Sequence, residues 1–264
     1  MYEKNRRVGR DAAAGAAAEE TEGQLEGRNA LQEALKSGRT VDKVFIAAGE
    51  IDRGLQRLAA EAKEAGAVVV PVDRRKLDAM SFTHAHQGVI AQAAAHVYYS
   101  IDDILEEAAS RGETPLIVIC DELSDPHNLG AILRSAECAG AHGVLIPKRR
   151  SVGLTATVAK ASSGAVEYMK VARVTNISAA IGELKEKGVW VFGTAAEGSI
   201  PMYQADLSGP TAIVIGNEGA GLSQLVRKNC DVMVNIPMRG RISSLNASAA
   251  ASILLYEALR QRLG

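Results

Sequence analysis

The chain has 264 residues, 47% of them hydrophobic and 23% charged, with a formal net charge of −1. That length suits one large domain or two modest ones, and the composition is that of an ordinary globular protein rather than a fibrous or low-complexity one. No apolar stretch approaches the length of a membrane span, and the Ala run at 12–18 leads into Glu19, Glu20 and Glu22 without a cleavage-like site, so neither a membrane segment nor a secretory signal is expected.

Residues 1–23 are rich in Ala, Glu and Gly without apolar periodicity and read as a disordered tail. Residues 24–96 read as a small α/β unit. A helix carries Leu31 and Leu35 on one face and ends near Gly38; a strand follows at Val44–Ala47. A second helix places Ile51, Leu55, Leu58 and Ala62 at helical spacing and stops at Gly66. Strands are expected at Ala67–Val70, ending at Pro71, and at Val89–Ala94. Residues 97–114 read as a linker with a short acidic helix. From 115 to 264 short apolar strands alternate with helices: Leu116–Cys120, Gly143–Ile146, Val189–Phe192, Ala212–Ile215 and Val232–Ile236. Fully apolar strands separated by helices predict a parallel sheet covered on both faces, with ligands held in loops beyond the carboxyl ends of the strands.

Those loops carry the polar residues of interest. After Cys120 comes DELSDPHNLGAILRSAECAGA, with a helix expected from about Leu129, Asn128 as its N-cap, and Arg134 in an otherwise small, apolar and therefore confined segment. After Phe192 comes GTAAEGS. After Ile215 comes GNEGAGLS, whose glycines suit close approach of a ligand to the backbone. This is neither a P-loop nor a dinucleotide fingerprint, because the Lys-Ser/Thr pair is missing and the first strand of the sheet has no glycine-rich turn. After Ile236 comes PMRGRISSLNASAAASILLYEALRQR. Ser243, Ser244 and Asn246 cluster at a helix start, one of them as N-cap, and the Ala- and Leu-rich helix that follows is expected to be buried. Cys120, Cys138 and Cys230 are spaced for neither zinc nor a disulfide framework. They read as buried free thiols of a cytoplasmic protein with no metal. The near-neutral charge argues against indiscriminate nucleic-acid binding, yet basic clusters stand at Arg74-Arg75-Lys76, Lys148-Arg149-Arg150, Arg227-Lys228 and around Gly240 at Arg239 and Arg241.

Taken together and in order, DPHNLGAILRSAECAG, IVIGNEGAGLS and IPMRGRISSLNASAAASILLYEALRQR closely resemble the three signature motifs of the SpoU/TrmH family of RNA 2'-O-methyltransferases. The segment from GRNALQEALKSGRTVDKVFIA to THAHQGVIAQ resembles the substrate-binding domain of the RlmB branch, which methylates a guanosine of 23S rRNA. The resemblance covers about residues 24–264 and implies a C-terminal α/β knot (SPOUT, trefoil-knotted) at 115–264. It further implies a small L30e-like RNA-binding domain, a homodimer with a site drawn from both chains, and S-adenosylmethionine as cofactor. Carried over residue by residue, it makes Asn128, Arg134, Glu218, Ser244 and Asn246 the catalytic set. Thr194, Gly216, Ile236 and Leu245 become cofactor contacts, and Arg149, Arg239 and Arg241 RNA contacts.

A guanidinium resists deprotonation, so Arg134 is expected to grip a phosphate and stabilise the forming alkoxide rather than act as a base. Three other readings compete. One is the same chemistry on transfer RNA or another rRNA site. A second is a non-catalytic RNA-binding protein, against which the intact polar set counts. The third is a nucleotide-dependent oxidoreductase, against which the missing glycine fingerprint counts.

Overall fold

The computed structural model describes residues 23–264 apart from 37, 50–51, 94–95, 196–198 and 218. The tail at 1–23 (except Gly23), Ile51 of the second predicted helix and Glu218 of the glycine-rich loop lie outside the described residues. The chain divides into two compact units: residues up to Val97 together with Leu154–Thr157, and Tyr98–Gly153 with Val158–Gly264.

The first unit holds strands β1 (Gln24–Glu26), β2 (Val41–Ala47), β3 (Val68–Val72) and β4 (Val89–Ala93), with helices α1 (Arg28–Lys36), α2 (Arg53–Glu64) and α3 (Arg74–Met80). The sheet order is β1-β4-β2-β3; β2 and β3 run parallel, and the other pairs are antiparallel. Leu31 and Ala34 of α1 join Leu55, Leu58 and Ala62 of α2 over one face, where Val44 and Ile46 also pack. Leu77 of α3 meets Val72 and Ile90 in a second cluster. Pro71 does not end β3 as expected but lies inside it, opposite Ile46. Only β2 flanks this strand, and an edge position tolerates a residue with no N–H to donate.

The second unit holds seven strands: β5 (Leu116–Cys120), β6 (Gly143–Pro147), β7 (Lys170–Val174), β8 (Trp190–Thr194), β9 (Ile200–Pro201), β10 (Thr211–Ile215) and β11 (Val232–Asn235). Every pairing is parallel, in the order β7-β6-β5-β10-β8-β11-β9. Its helices are α4 (Ile101–Arg111), α5 (Pro126–Cys138), α6 (Ala156–Ala161, from Val158 onward in this unit), α7 (Ile177–Glu186), α8 (Gln224–Asn229) and α9 (Ala247–Leu263). One core gathers Ile101 and Ile104 of α4, Ile181 and Leu184 of α7, and Ile117, Ile119 and Val214 of the sheet. Helix α4, inside the segment read as a linker, thus contributes to the core of this unit. Helices α5 and α9 pack on each other, with α9 also against β10.

Several local expectations are corrected. Helix α5 starts at Pro126, and its N-cap is Asp125, whose carboxylate accepts from His127 N at 2.9 Å. An Asp-Pro pair caps and opens a helix more decisively than the asparagine three residues on, because proline fills the first helical position at no hydrogen-bond cost. Arg134 is exposed rather than confined: it points away from the face bearing buried Ile132, Leu133 and Ala136. Cys138, on that exposed side too, is not a buried thiol, whereas Cys120 is buried and Cys230 half-buried. Helix α9 buries only the stripe Ala247, Ala251, Leu254, Leu255 and Ala258, leaving Tyr256 and Leu263 exposed. Strand β7 was not anticipated. Its Lys170 and Arg173 interrupt the apolar run, which an edge strand permits.

Glu26 ties β1 to the segment after α3. Its carboxylate accepts from Gln24 Nε2 (2.8 Å), Ser81 Oγ (2.7 Å), Phe82 N (2.7 Å), Thr83 N (3.1 Å) and Thr83 Oγ1. Burial works to raise its pKa, but the bonds from Thr83, Phe82 and Ser81 outweigh it and hold the group at about 2. A depressed carboxylate contributes stability that is complete above its ordinary pKa and is lost as pH falls toward the folded value. Chemical denaturation from pH 7 to pH 2 should therefore show the wild-type chain losing stability below about pH 4.5. Glu26→Gln should be weaker at pH 7 by about 1–2 kcal/mol and show a flatter acid limb.

Candidate active site

The strand register assembles the site. In the middle of the sheet β5, β10, β8 and β11 are consecutive neighbours and all parallel. Cys120 lies opposite Ile215, Val214 opposite Gly193, and Val234 opposite Thr194. Thr194, Gly216 and Ile236 consequently sit side by side at the carboxyl ends of three adjacent strands, where parallel α/β sheets hold their ligands. Thr194 Oγ1 donates to Val214 O at 2.9 Å, and Ala195 N to Val234 O at 3.0 Å, which fixes the first turn beyond the sheet.

The glycine-rich loop after β10 closes on itself. Asn217 N donates to Gly221 O at 3.1 Å and Gly221 N to Asn217 O at 2.9 Å; Asn217 Oδ1 accepts from Gly219 N at 3.0 Å. A Cβ on Gly216 would stand 2.4 Å from the carbonyl carbon of Gly221, so the residue must be glycine for the loop to fold back at all. The role first read for this glycine, close approach of a ligand, is thus shared with a purely internal one. Gly221 itself has φ +67°, in the left-handed region.

Two residues that the sequence did not single out hold this loop to the one after β5. Asp121, 4% exposed, accepts from Ser223 N through Oδ2 at 2.9 Å. The carbonyl of Glu122 accepts from Asn217 Nδ2 at 3.1 Å, while its carboxylate pairs with Arg150 at 3.1 Å. Glu122 (φ 58°) and Arg150 (φ 56°) both adopt the left-handed conformation. Non-glycine residues in that region cost energy and concentrate at functional sites. The signal available in the sequence was an acidic pair directly after an apolar strand.

The third and first polar segments meet through one side-chain bond. Asn246 caps α9: its Oδ1 accepts from Ser248 N at 2.9 Å and Ala249 N at 3.3 Å. Its Nδ2 donates to Asn128 Oδ1 at 2.9 Å, across 118 residues of chain. Asn128 is 7% exposed, in the first turn of α5. Behind this bond Ser135 and Ser252 share a hydrogen bond of 2.7 Å between α5 and α9. Arg134 donates from Nη1 to Ser163 Oγ at 3.3 Å. Ser244 and Leu245 adjoin Asn246 and are exposed, as are Arg239 and Arg241. Arg149 is exposed beyond β6. Burial, aided by Asp121, pushes the Cys120 thiol up to about 12; burial, with Asp231, pushes Cys230 up to about 11. Neither offers a thiolate nucleophile near neutral pH. Among the described residues no group of three or more His, Cys, Asp or Glu is placed to hold a metal ion, and no helix is long and apolar enough to cross a membrane.

A parallel sheet with small-ligand loops on one edge and converging asparagines defines an α/β enzyme site, and comparison with known proteins gives its class. The model of the SpoU rRNA methylase family matches residues 115–256, and a model for RNA 2'-O ribose methyltransferase substrate binding matches residues 24–99. The Bacillus subtilis (strain 168) protein YacO, named for the TrmH family of tRNA/rRNA methyltransferases, is 48% identical over 236 residues, 89% of this chain and 94% of YacO. The Ralstonia nicotianae 23S rRNA (guanosine-2'-O-)-methyltransferase RlmB is 44% identical, over 85% of this chain and 89% of that protein. Among solved structures, the SpoU methyltransferase AviRb of Streptomyces viridochromogenes in complex with AdoMet is 25% identical with a TM-score of 0.57, covering 91% of this chain and 90% of AviRb. An AdoMet-bound rRNA methyltransferase from Sinorhizobium meliloti is 26% identical with a TM-score of 0.56, covering 91% and 88%. The chain belongs to the SpoU/TrmH family and is an S-adenosylmethionine-dependent RNA methyltransferase, with the knotted α/β domain of that family and a smaller first α/β unit.

The two roles of Asn246 can be separated. Asn246→Asp keeps the oxygen that caps α9 but replaces the donor facing Asn128 with a second acceptor. Thermal melting should leave Asn246→Asp close to wild type, while methyl transfer falls at least about tenfold through misplacement of the α5 turn. Asn246→Ala should lose activity and also about 1 kcal/mol of stability.

Proposed function

We propose that the enzyme methylates the ribose 2'-hydroxyl of a guanosine in 23S rRNA, acting as a homodimer in the cytoplasm. The observation that supports the target is the 44% identity to RlmB over 85% of this chain. A second reading, the same chemistry on transfer RNA, is favoured by the mixed tRNA/rRNA naming of YacO. For dimerisation the support is apolar surface exposed in the single chain. Ile242 (75%), Leu245 (39%) and Met238 (39%) lie in the segment before α9, and Tyr256 (50%) lies on α9 itself. Sedimentation at micromolar concentration should give twice the monomer mass, and a monomer would sink that part of the reading.

The residues present fit S-adenosylmethionine. Three adjacent strand ends supply backbone donors and acceptors, and Ile236 and Leu245 supply apolar surface for an adenine slot. Thr194, Gly216, Ile236 and Leu245 would hold it, and when bound it supplies the methyl group. The protein's own task is to place the 2'-oxygen. Asn128, fixed by Asn246, and Ser244 stand at the mouth of α5 and α9 as hydrogen-bonding groups for the ribose, and Glu218 completes the polar set. Arg134, solvent-facing on α5, suits an incoming phosphate: its forked guanidinium binds phosphate bidentately and is a poor proton acceptor. Arg149, Arg239 and Arg241 extend the cationic surface along the RNA. The methyl group would pass from the sulfonium sulfur to the 2'-oxygen, the carbon–sulfur bond breaking as the carbon–oxygen bond forms, and the hydroxyl proton would leave to water.

Labelled S-adenosylmethionine offered with unmodified 23S rRNA, 16S rRNA and transfer RNA should give 2'-O-methylguanosine in 23S rRNA alone. Label confined to transfer RNA would overturn the target. For Arg134→Lys, we expect RNA affinity and turnover each to fall about tenfold or more with an unchanged pH profile. Near-normal turnover with a profile shifted toward lysine titration would show the residue to be the base instead.

A further inference from the structure

The first unit contains a cavity of about 460 Å³ lined by Arg28, Ala47, Asp52, Leu55, Arg74, Gln87 and Gly88. It lies at the carboxyl ends of the parallel strands β2 and β3, beside the start of β4. Its size falls in the range of sites that take small organic ligands, about 300–1,000 Å³. Nothing in the catalytic chemistry above uses it.

Its walls are built with some rigidity. Arg28 forms a bidentate pair with Asp52, at 3.0 and 2.6 Å, and donates from Nε to Gln87 O at 3.3 Å. The backbone N–H of Arg28 donates to Gln87 Oε1 at 3.3 Å. Asp52 also caps α2 through Leu55 N at 3.0 Å. Gln87 is held with φ 51°, a left-handed conformation that a glutamine adopts only under constraint. Gly88 N donates to His86 Nδ1 at 3.1 Å, which secures the next residue. Leu55, 3% exposed, gives an apolar floor.

The charges around this frame are unequal. Arg28 and Asp52 neutralise one another. Arg74 has no carboxylate partner among the described residues, and Arg75 and Lys76 follow it, exposed on the same helix. The amide oxygen of Gln87 is already engaged, so its nitrogen is the half left to bind something else. A free guanidinium, an amide donor and an apolar floor suit a group that is anionic at one end and flat with acceptor atoms at the other. Arg75 and Lys76, next along the same helix and exposed, add positive charge near Arg74, which suits a ligand that carries further phosphates.

We infer that this cavity receives one unstacked nucleotide of the RNA substrate, with its phosphate on Arg74 and its base over Leu55 beside the Gln87 amide. The inference rests on the reading that this chain acts on RNA, and it assigns the first unit a gripping point for a single-stranded segment rather than a duplex.

The test uses the full chain and an unmodified 23S rRNA fragment in filter-binding titrations at several salt concentrations. Arg74→Ala should weaken binding about tenfold and reduce the slope of log affinity against log salt by about one. Gln87→Glu keeps the oxygen that holds Arg28 while placing a carboxylate in the cavity, and should weaken binding at least as much. Arg39→Ala, an exposed arginine of the same unit outside the cavity lining, should change affinity less than twofold. Calorimetric affinity for S-adenosylmethionine should be unchanged in all three. If wild type binds RNA and both cavity variants bind it equally well, the cavity assignment is overturned while the RNA-target reading stands. If wild type binds no RNA, both fall together.

Discussion

The hydrogen bond from Asn246 to Asn128 is the constraint on which the catalytic unit turns. Asn128 belongs to the first turn of α5 and Asn246 to the start of α9, and the bond joins the two ends of the methylase segment. The same asparagine that makes this bond also caps α9, so one side chain fixes both where the helix begins and what it faces. The serine pair behind it repeats the link one helical layer further on. Of the groups proposed for the ribose, Asn128 thus stands on a helix and is braced by the cap of a second one, which is how a site keeps reacting atoms within reach of each other.

The sheet supplies the complementary half. With β10 between β5 and β8, and β11 beyond, four loops that are far apart in sequence open on one edge. Asp121 and Glu122 then stitch the loop after β5 to the glycine-rich loop after β10. Through Arg150, Glu122 also reaches the basic loop beyond β6. The basic loop beyond β6 and the glycine-rich loop after β10 are thus joined through the two faces of one residue, Glu122.

The strands that decide the topology were readable because they are continuous apolar runs, and β5, β6, β8, β10 and β11 appear within one or two residues of their expected bounds. Strand β7 was not readable, because Lys170 and Arg173 are acceptable only at a sheet edge, and edge status is a property of the assembled sheet. Asn128 stood out as polar at a helix start, but its bond to Asn246 is tertiary and leaves no local trace. Asp125 carries a clear local signature of the cap, the proline after it. Arg134 was placed in a confined setting because its neighbours are small and apolar. Helical geometry turned it to the outer side, since residues 132, 133 and 136 define the buried face. Asp121, through the Ser223 N–H, and Glu122, through its carbonyl to the Asn217 amide, act on partners about a hundred residues away, which no spacing rule exposes.

The 118-residue separation between Asn128 and Asn246 has a kinetic meaning. Closing a chain loop of that length costs roughly 4 kcal/mol of entropy, about twice the cost for ten residues, before any contact rewards it. The adjacent parallel strands also pair across intervening helices, and folds dominated by such distant contacts form slowly. A contact this distant in the chain is expected to form late, after more local structure, so the corner where the two asparagines meet should be among the last parts of this unit to form. A chain that has collapsed but not yet docked α9 would have most of its secondary structure and none of its activity.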